Sequence, residues 1–361
     1  MDVFLIAYIN KNFGDDLFVD MICRRYPQHI FHVVGSEIMT DYLSRIPNLR
    51  VHSYNKILRA ANAKLTTWLG TNYLMEHLAQ KYEACVCIGG SIFIQSDNWK
   101  TIAKERERLR RKTLKYFIIS ANFGPYTDQE YLNLYEDWFG KLTDVCFRDS
   151  YSYQLLSRTN KVRYAPDAIF GYMTKEFIER KDARNTLVVS CIDYSWRGGK
   201  EQTDLYERNM SQIITYYIKQ GWRVVLLALC NQEGDNDAAN RICEAVENNE
   251  VHAPEVHSYD GDYKKVCELL KKANFVISSR FHATVIPLSL EIPVLPVPYS
   301  NKKRNMLSDI GYDGPIWELD NGDISLEKVE NSRNHHFKIK DTVVAAQKQF
   351  DAVDKLLASK K

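Results

Sequence analysis

Arg280 and His282 stand two residues apart in the stretch FVISSRFHATVIPLSLEIPVLPVPYSNKKRNML, residues 275–307. An arginine offers a bidentate fork to a carboxylate or phosphate, and a histidine offers a proton that moves near neutral pH. Together they suit an anionic substrate that must be gripped and then protonated. The structural alternative is an Arg280 paired with a carboxylate and a His282 that caps a helix. Other unusual residues come in small groups: Gly14-Asp15-Asp16, Gly89-Gly90-Ser91, Asn122 to Pro125, Arg148-Asp149 and Pro166-Asp167. Asp15 and Asp16 suit the start of a helix, where carboxylates are favoured, and a pair of adjacent carboxylates can also hold a cation. Gly89-Gly90 lets a ligand approach the backbone closely but lacks the spacing of a dinucleotide fingerprint. Asp149 is expected to contact Ser152 locally, and Arg148, at a strand end, to do the same or to reach a ligand. The sequence contains no P-loop, HExxH or GxSxG pattern.

The elements that must position these residues alternate. Short apolar runs at Val3–Ile9, Phe31–Val34, Arg50–Tyr54, Ala84–Ile88, Tyr116–Ser120, Val145–Phe147 and Val162–Tyr164 predict strands. Between them the apolar spacing predicts helices at Leu17–Tyr26, Thr67–Lys81 and Tyr131–Phe139, and one ending at Leu156. The polar stretch Lys175–Asn185 is the expected linker. A second series follows: strands Leu187–Ser190, Val224–Ala228, Val256–Tyr259, Phe275–Ile277 and Val294–Val297. Helices Leu205–Gln220, Asp237–Glu247, Tyr263–Ala273 and Arg280–Leu290 separate them. A polar segment, Asn321–His336, precedes a last helix, Asp341–Leu357, with Val343, Ala346, Phe350, Val353 and Leu357 on one face. Alternation of this kind predicts an α/β fold with parallel sheets: two Rossmann-like domains facing across a cleft. The domains are placed at 1–174 and 186–320, with a helix at 338–358 that packs back on the first. The unusual residues then fall at the carboxyl ends of strands, where such sheets bind anionic ligands.

The totals fit this picture. A chain of 361 residues with 45% hydrophobic and 26% charged residues has the size of two ordinary globular domains. A net charge of +2 gives no reason to expect nucleic acid as a partner. The eight cysteines are scattered through apolar runs and read as reduced core thiols. The basic run KERERLRRKTLK, 104–115, reads as a solvated helix face, with contact to an anionic membrane surface as the alternative. Met1 leads directly into a strand-like run and no stretch approaches a membrane span. A cytoplasmic location is expected, at the inner face of the membrane if the basic run touches lipid.

Taken in order, several pieces resemble the polysaccharide pyruvyl transferase family. They are Asn12-Phe13-Gly14-Asp15-Asp16, Ile88-Gly89-Gly90, Ser120–Pro125, Phe147-Arg148-Asp149-Ser150 with Ser152, and Ala165-Pro166-Asp167. The most specific is Ser278-Ser279-Arg280-Phe281-His282-Ala283, followed by Pro296–Gly311. The resemblance implies a glycosyltransferase-B-like fold and transfer of the enolpyruvyl unit of phosphoenolpyruvate onto two hydroxyls of one sugar. The product is a cyclic ketal, phosphate is released, and no metal or organic cofactor is expected. In that scheme the first domain takes the sugar acceptor and the second the phosphoenolpyruvate. Arg280 and Arg148 hold the donor's charges with Lys302 as a third cation, and His282 is the general acid. Asp15 or Asp16 orients the acceptor hydroxyl, and Gly89, Gly90 and Asn122 line the substrate. The acceptor sits in a bacterial surface polysaccharide or its lipid-linked precursor.

Two other readings stay open. A glycosyltransferase of the same architecture would place Arg280 and Lys302 on the diphosphate of a nucleotide sugar. A non-catalytic sugar- or nucleotide-binding module would keep its ligand affinity when His282 is replaced.

Overall fold

Aliphatic and β-branched runs form the strands, the central ones buried on both faces, and the helices between them cross from one strand to the next in parallel. A computed structural model describes residues 1–8, 11–35, 43, 45–69, 71–172, 185–195, 198–249 and 251–359. Two compact units result. The first comprises Met1–Asn10, Asp15–Ala168 and Val344–Lys361, the second Lys11–Gly14 and Ile169–Val343.

Among the described residues the first unit has a seven-stranded parallel sheet. Its strands are β1 (Asp2–Ala7), β2 (Ile30–Gly35), β3 (Leu49–Ser53), β4 (Ala84–Ile88), β5 (Lys115–Ala121), β6 (Asp144–Phe147) and β7 (Val162–Tyr164). They lie in the order β3-β2-β1-β4-β5-β6-β7. The second unit carries β8 (Thr186–Ser190), β9 (Arg223–Ala228), β10 (Glu255–Ser258), β11 (Phe275–Ser278) and β12 (Val294–Pro296), in the order β10-β9-β8-β11-β12. In each sheet the winding reverses once, between β1 and β4 and between β8 and β11. Ligands of doubly wound sheets bind at such reversals. Gly89-Gly90 follow β4, and Arg280 and His282 follow β11. β4, β8 and β11 are buried along their whole length, the mark of central parallel strands.

The helices are, in chain order, α1 (Phe13–Arg25), α2 (Lys56–Leu69), α3 (Tyr73–Ala79), α4 (Trp99–Lys112), α5 (Gln129–Gly140), α6 (Ser150–Leu156) and α7 (Ala168–Tyr172). Then come α8 (Gly199–Lys219), α9 (Asp235–Glu247), α10 (Tyr263–Lys272), α11 (His282–Ser289), α12 (Asn301–Asp309), α13 (Leu326–Arg333), α14 (Lys340–Ala346) and α15 (Asp351–Ala358). The aromatic face of α5, Tyr131, Tyr135, Trp138 and Phe139, packs with Phe93 and Phe123 in the first core. These tyrosines build the interior. The eight cysteines are free thiols, seven buried and Cys243 half-buried.

Three elements differ from the sequence expectation. The helix expected over Thr67–Lys81 is two helices, because Asn72 caps α3 by accepting the Met75 N–H at 3.2 Å. The chain is already helical from Lys56, and Trp68 and Tyr73 point outward, 85% and 60% exposed, instead of forming one buried stripe. The last helix is also divided, with a 3₁₀ turn, Gln347–Phe350, between α14 and α15. That turn aims Gln349 at the ends of three strands in the first unit. Its Nε2 donates to Ala165 O (2.6 Å) and to Phe147 O and Pro166 O (3.2 Å each), and its Oε1 accepts the Ser120 N–H at 2.9 Å. Third, the polar segment 321–336 holds helix α13, capped by Ser325 and anchored by Val329 in the core and Ser332 Oγ on Val294 O at 2.9 Å. The second unit therefore runs past residue 320 to Val343, and the units divide at Ala168/Ile169. Apart from Asn185, the expected linker Lys175–Asn185 lies outside the described residues, as does Ile9.

Candidate active site

In the second unit, β11 ends in a turn made almost wholly of polar contacts. Ser278 Oγ donates to Arg280 O at 2.9 Å and lies 2.8 Å from Thr284 Oγ1, while Ser279 Oγ meets the Tyr206 hydroxyl at 2.9 Å. Lys303, fully buried on α12, donates Nζ to Ser279 O (2.5 Å), Ser278 O (2.9 Å) and Arg280 O (3.3 Å). One ammonium thus gathers three consecutive carbonyls and fixes the path of the chain into α11.

The Arg280 guanidinium is held by two carboxylates. Nε reaches Asp235 Oδ2 at 2.9 Å, Nη2 bonds Asp235 Oδ1, and Nη1 reaches Glu233 Oε2 at 2.6 Å. Asp235, fully buried at the start of α9, also accepts the Leu229 and Cys230 N–H groups at 3.1 and 2.9 Å. Burial works against the charge on Arg280, and the adjoining Asp235 carboxylate more than offsets it, raising the guanidinium above its ordinary range. Burial likewise lifts the Asp235 carboxyl, and the Arg280 fork pulls it back. Arg280 is therefore the paired residue of the structural alternative, with the more exposed Glu233 on its outer nitrogen.

His282 is the first residue of α11, with its ring edge-on to Phe281 at 5.3 Å. Gly14 lies directly against it: a Cβ there would sit 1.9 Å from His282 Nδ1. Gly14 is set by its neighbours. Asn12 Oδ1 accepts the Gly14 N–H (3.1 Å), Asn12 Nδ2 reaches Cys230 Sγ (3.8 Å), and the Phe13 N–H reaches Leu229 O (3.5 Å). Residues far apart in the sequence, Asn12-Phe13-Gly14 and Ser279–His282, are one local structure.

Lys302 stands beside this turn with its ammonium 5.5 Å from the centre of the Tyr299 ring. The sequence singled out Lys302; the buried cation is its neighbour. The available signal was helical spacing, since Lys303 precedes Met306 and Leu307, the buried pair of α12, by three and four residues. Asp235 and Glu233 gave no such signal within a run of polar residues. Burial, with Lys302 and Arg280 close by, pulls Lys303 well below the ordinary lysine range. The folded chain then gives up this proton before the unfolded chain does. Stability therefore rises with pH from the folded value up to about 10.4, the ordinary lysine value. Lys303→Met is expected to remove that rise and to cost about 1–3 kcal/mol at pH 7. Ser279 O loses its 2.5 Å donor, whereas Ser278 O keeps the Val297 N–H at 2.8 Å and Arg280 O keeps the Ser278 hydroxyl. Urea titrations from pH 7 to 10 measure both effects.

The first unit holds a second polar cluster at its strand ends. Arg148 is buried, with Nη1 on Asp167 Oδ2 and Nη2 on Asn122 Oδ1, both at 2.9 Å. Gly90 covers the guanidinium so closely that a Cβ would lie 2.5 Å from Nη2. The Asn122 N–H donates to Gly90 O at 2.9 Å, and Ser91 Oγ donates to Asn122 Oδ1 at 3.3 Å. Asp149 caps α6 on the Ser152 N–H (2.8 Å) and accepts Ser152 Oγ (3.0 Å), which in turn accepts the Phe123 N–H (2.8 Å). Arg148 thus ties together the loops that carry Gly90, Asn122 and Asp167. Asp15 and Asp16 stand in the first turn of α1, half-buried and buried respectively.

Solved structures share this fold at low identity. The UDP-GlcNAc 2-epimerase of Methanocaldococcus jannaschii is 11% identical over 99% of this chain and 100% of its own, with a TM-score of 0.63. That of Neisseria meningitidis, solved bound to UDP-GlcNAc, is 12% identical over 98% and 99%, with a TM-score of 0.59. A glycosyltransferase of Rickettsia africae is 12% identical over 99% and 98%, with a TM-score of 0.53. The likeness is one of fold, an α/β architecture of the glycosyltransferase-B kind. The family model described as polysaccharide pyruvyl transferase matches residues 12–301, which span both Asn12-Phe13-Gly14 and the Arg280–His282 turn. The chain belongs to the polysaccharide pyruvyl transferase family.

Proposed function

We propose that the protein transfers the pyruvyl unit of phosphoenolpyruvate onto two hydroxyls of one sugar in a surface polysaccharide or its lipid-linked precursor. The observation that carries the proposal is a histidine at a strand-to-helix turn, packed on a glycine and flanked by arginine and lysine, in a chain of this family. The donor carries a carboxylate and a phosphate, which match the cations Arg280 and Lys302. His282 gives a proton to C3, turning the methylene into a methyl group and leaving an oxocarbenium-like centre at C2. One sugar hydroxyl adds there and loses its proton. Phosphate then leaves with the electrons of its C–O bond, and the second hydroxyl adds to the cation so formed and loses its proton, closing the ketal. The leaving group belongs to the substrate, so the scheme calls for no cofactor. Lys303 and Gly14 act as positioning residues for the turn that bears His282, and Arg280, held by Asp235 and Glu233, presents its outer edge to the donor. In the first unit the loops tied by Arg148, with Asp15 and Asp16 nearby in sequence to Asn12-Phe13-Gly14, are assigned to the acceptor.

The test is phosphate release from phosphoenolpyruvate with a panel of galactosides and mannosides, followed by mass spectrometry of the sugar. The expected product has gained the mass of pyruvate less water. Failure of phosphoenolpyruvate to bind, together with binding of a nucleotide sugar, would replace the proposal with the glycosyltransferase reading.

A further inference from the structure

Helix α2 is amphipathic in the wrong sense for a surface helix. Its inward residues are polar: Asn62 Nδ2 donates to Asn72 Oδ1 (3.0 Å), Asn62 Oδ1 accepts the Leu74 N–H (3.1 Å), and Thr66 Oγ1 donates to Thr71 O (3.2 Å). Its outward residues are apolar, with Ile57 80% exposed, Leu58 51%, Leu65 42% and Trp68 85%. Ile57, Ala61, Leu65 and Trp68 follow the i, i+4, i+8, i+11 spacing of one helix face. A surface helix of a globular domain normally turns such a stripe toward the core and its polar face to water.

The charges on the same helix say what this face meets. α2 carries Lys56, Arg59 and Lys64 and not one acidic residue. It packs on α4, whose exposed positions include Lys104, Arg108, Arg111 and Lys112, and Leu114 beyond the end of α4 is 84% exposed. Self-pairing of two such faces would bring like charges together. Among the described residues no helix is long and apolar enough to cross a membrane, and α2 has only 14 residues. An aliphatic stripe with one tryptophan, on a helix whose only charges are cations, is the composition of a helix lying in a lipid headgroup layer.

We propose that α2 is a membrane-docking helix. Ile57, Leu65 and Trp68 enter the headgroup–acyl boundary of an anionic bilayer, and Lys56, Arg59 and Lys64 pair with lipid phosphates. The inference does not depend on the identity of donor or acceptor.

Sedimentation of the full chain with extruded vesicles tests it. Vesicles of phosphatidylcholine alone are compared with vesicles containing two parts phosphatidylcholine to one part phosphatidylglycerol. Binding to the anionic vesicles is expected to be about tenfold tighter or more, and to weaken as salt rises. The double variant Ile57→Ser/Trp68→Ser should bind about tenfold more weakly or worse. The triple variant Lys56→Gln/Arg59→Gln/Lys64→Gln should lose most of the preference for anionic lipid. All five side chains are exposed, so both variants should melt with the wild type. Absence of sedimentation with anionic vesicles, or unchanged binding of the double variant, overturns the proposal. A vesicle-independent dimer that the double variant abolishes overturns it as well, and assigns the face to a second copy.

Discussion

Gly14→Ala is expected to lower kcat/KM for phosphoenolpyruvate by about 10²–10⁴-fold, the range for loss of a single acid–base group. Its melting temperature should fall far less than that loss would suggest. The substitution adds one methyl group, and the space it needs is occupied by the His282 ring, 1.9 Å away at Nδ1. One of the two must move. Because α1 anchors Gly14 by a helical backbone, the side chain is the softer partner. Alanine is also the better helix former, which offsets part of the strain. A double-mutant cycle makes the argument specific. His282→Ala alone should be as inactive as Gly14→Ala, and the combined variant no worse than either, because the methyl then occupies the space the ring has left. Additive losses in the cycle would show that Gly14 acts on something other than His282.

Arg280→Lys should reduce kcat/KM by about 10²–10³-fold, the scale seen when one preorganised electrostatic contact is lost. Lysine keeps the charge but has no fork. It cannot serve both oxygens of Asp235 while also reaching Glu233, where three guanidinium nitrogens now do so. Arg280→Met goes further, leaving Asp235 a buried carboxylate without its cation, and is expected to cost about 3–5 kcal/mol of stability. Glu233→Gln separates substrate binding from scaffolding. Glu233 sits 2.6 Å from Nη1, on the outer edge of the guanidinium where an anionic substrate would bond. Neutralising it should lower KM for phosphoenolpyruvate with the melting temperature nearly unchanged, because Asp235 still holds the other two nitrogens. A raised KM would instead make Glu233 part of the binding site. Initial rates over a range of phosphoenolpyruvate concentrations, with thermal melts of each variant, decide between these outcomes.

Much of this architecture is legible from the strands. The central ones, β4 (ACVCI), β8 (TLVVS) and β11 (FVIS), are short apolar runs buried on both faces, and nothing but a parallel sheet accounts for so many of them between helices. The residues that follow them are conspicuous because they break the pattern, which is how Gly89-Gly90 and Arg280–His282 come into view. What the sequence hides is direction. Trp68 and Tyr73 share helical spacing with Leu74 and Leu78, so the stretch reads as one buried stripe, although α2 turns its apolar side outward. Lys302 and Lys303 are chemically identical in a list of residues, and only Lys303 stands both three residues before Met306 and four before Leu307, which separates the buried charge from the half-buried one. The partners of Arg280 and Arg148 lie 45 and 19 residues away, at Asp235 and Asp167, and no local rule connects them.

Gln349 sets an order on the birth of the protein. A ribosome delivers Ala165 and Ser120 long before the glutamine that pairs with both; the gap from Ala165 is 184 residues. Until those residues have been made, the first sheet must wait with strand-end carbonyls and a Ser120 amide facing water. The second unit, Lys11–Gly14 and Ile169–Val343, is complete in sequence before the first can close. The domain that begins the chain is thus the last to be finished.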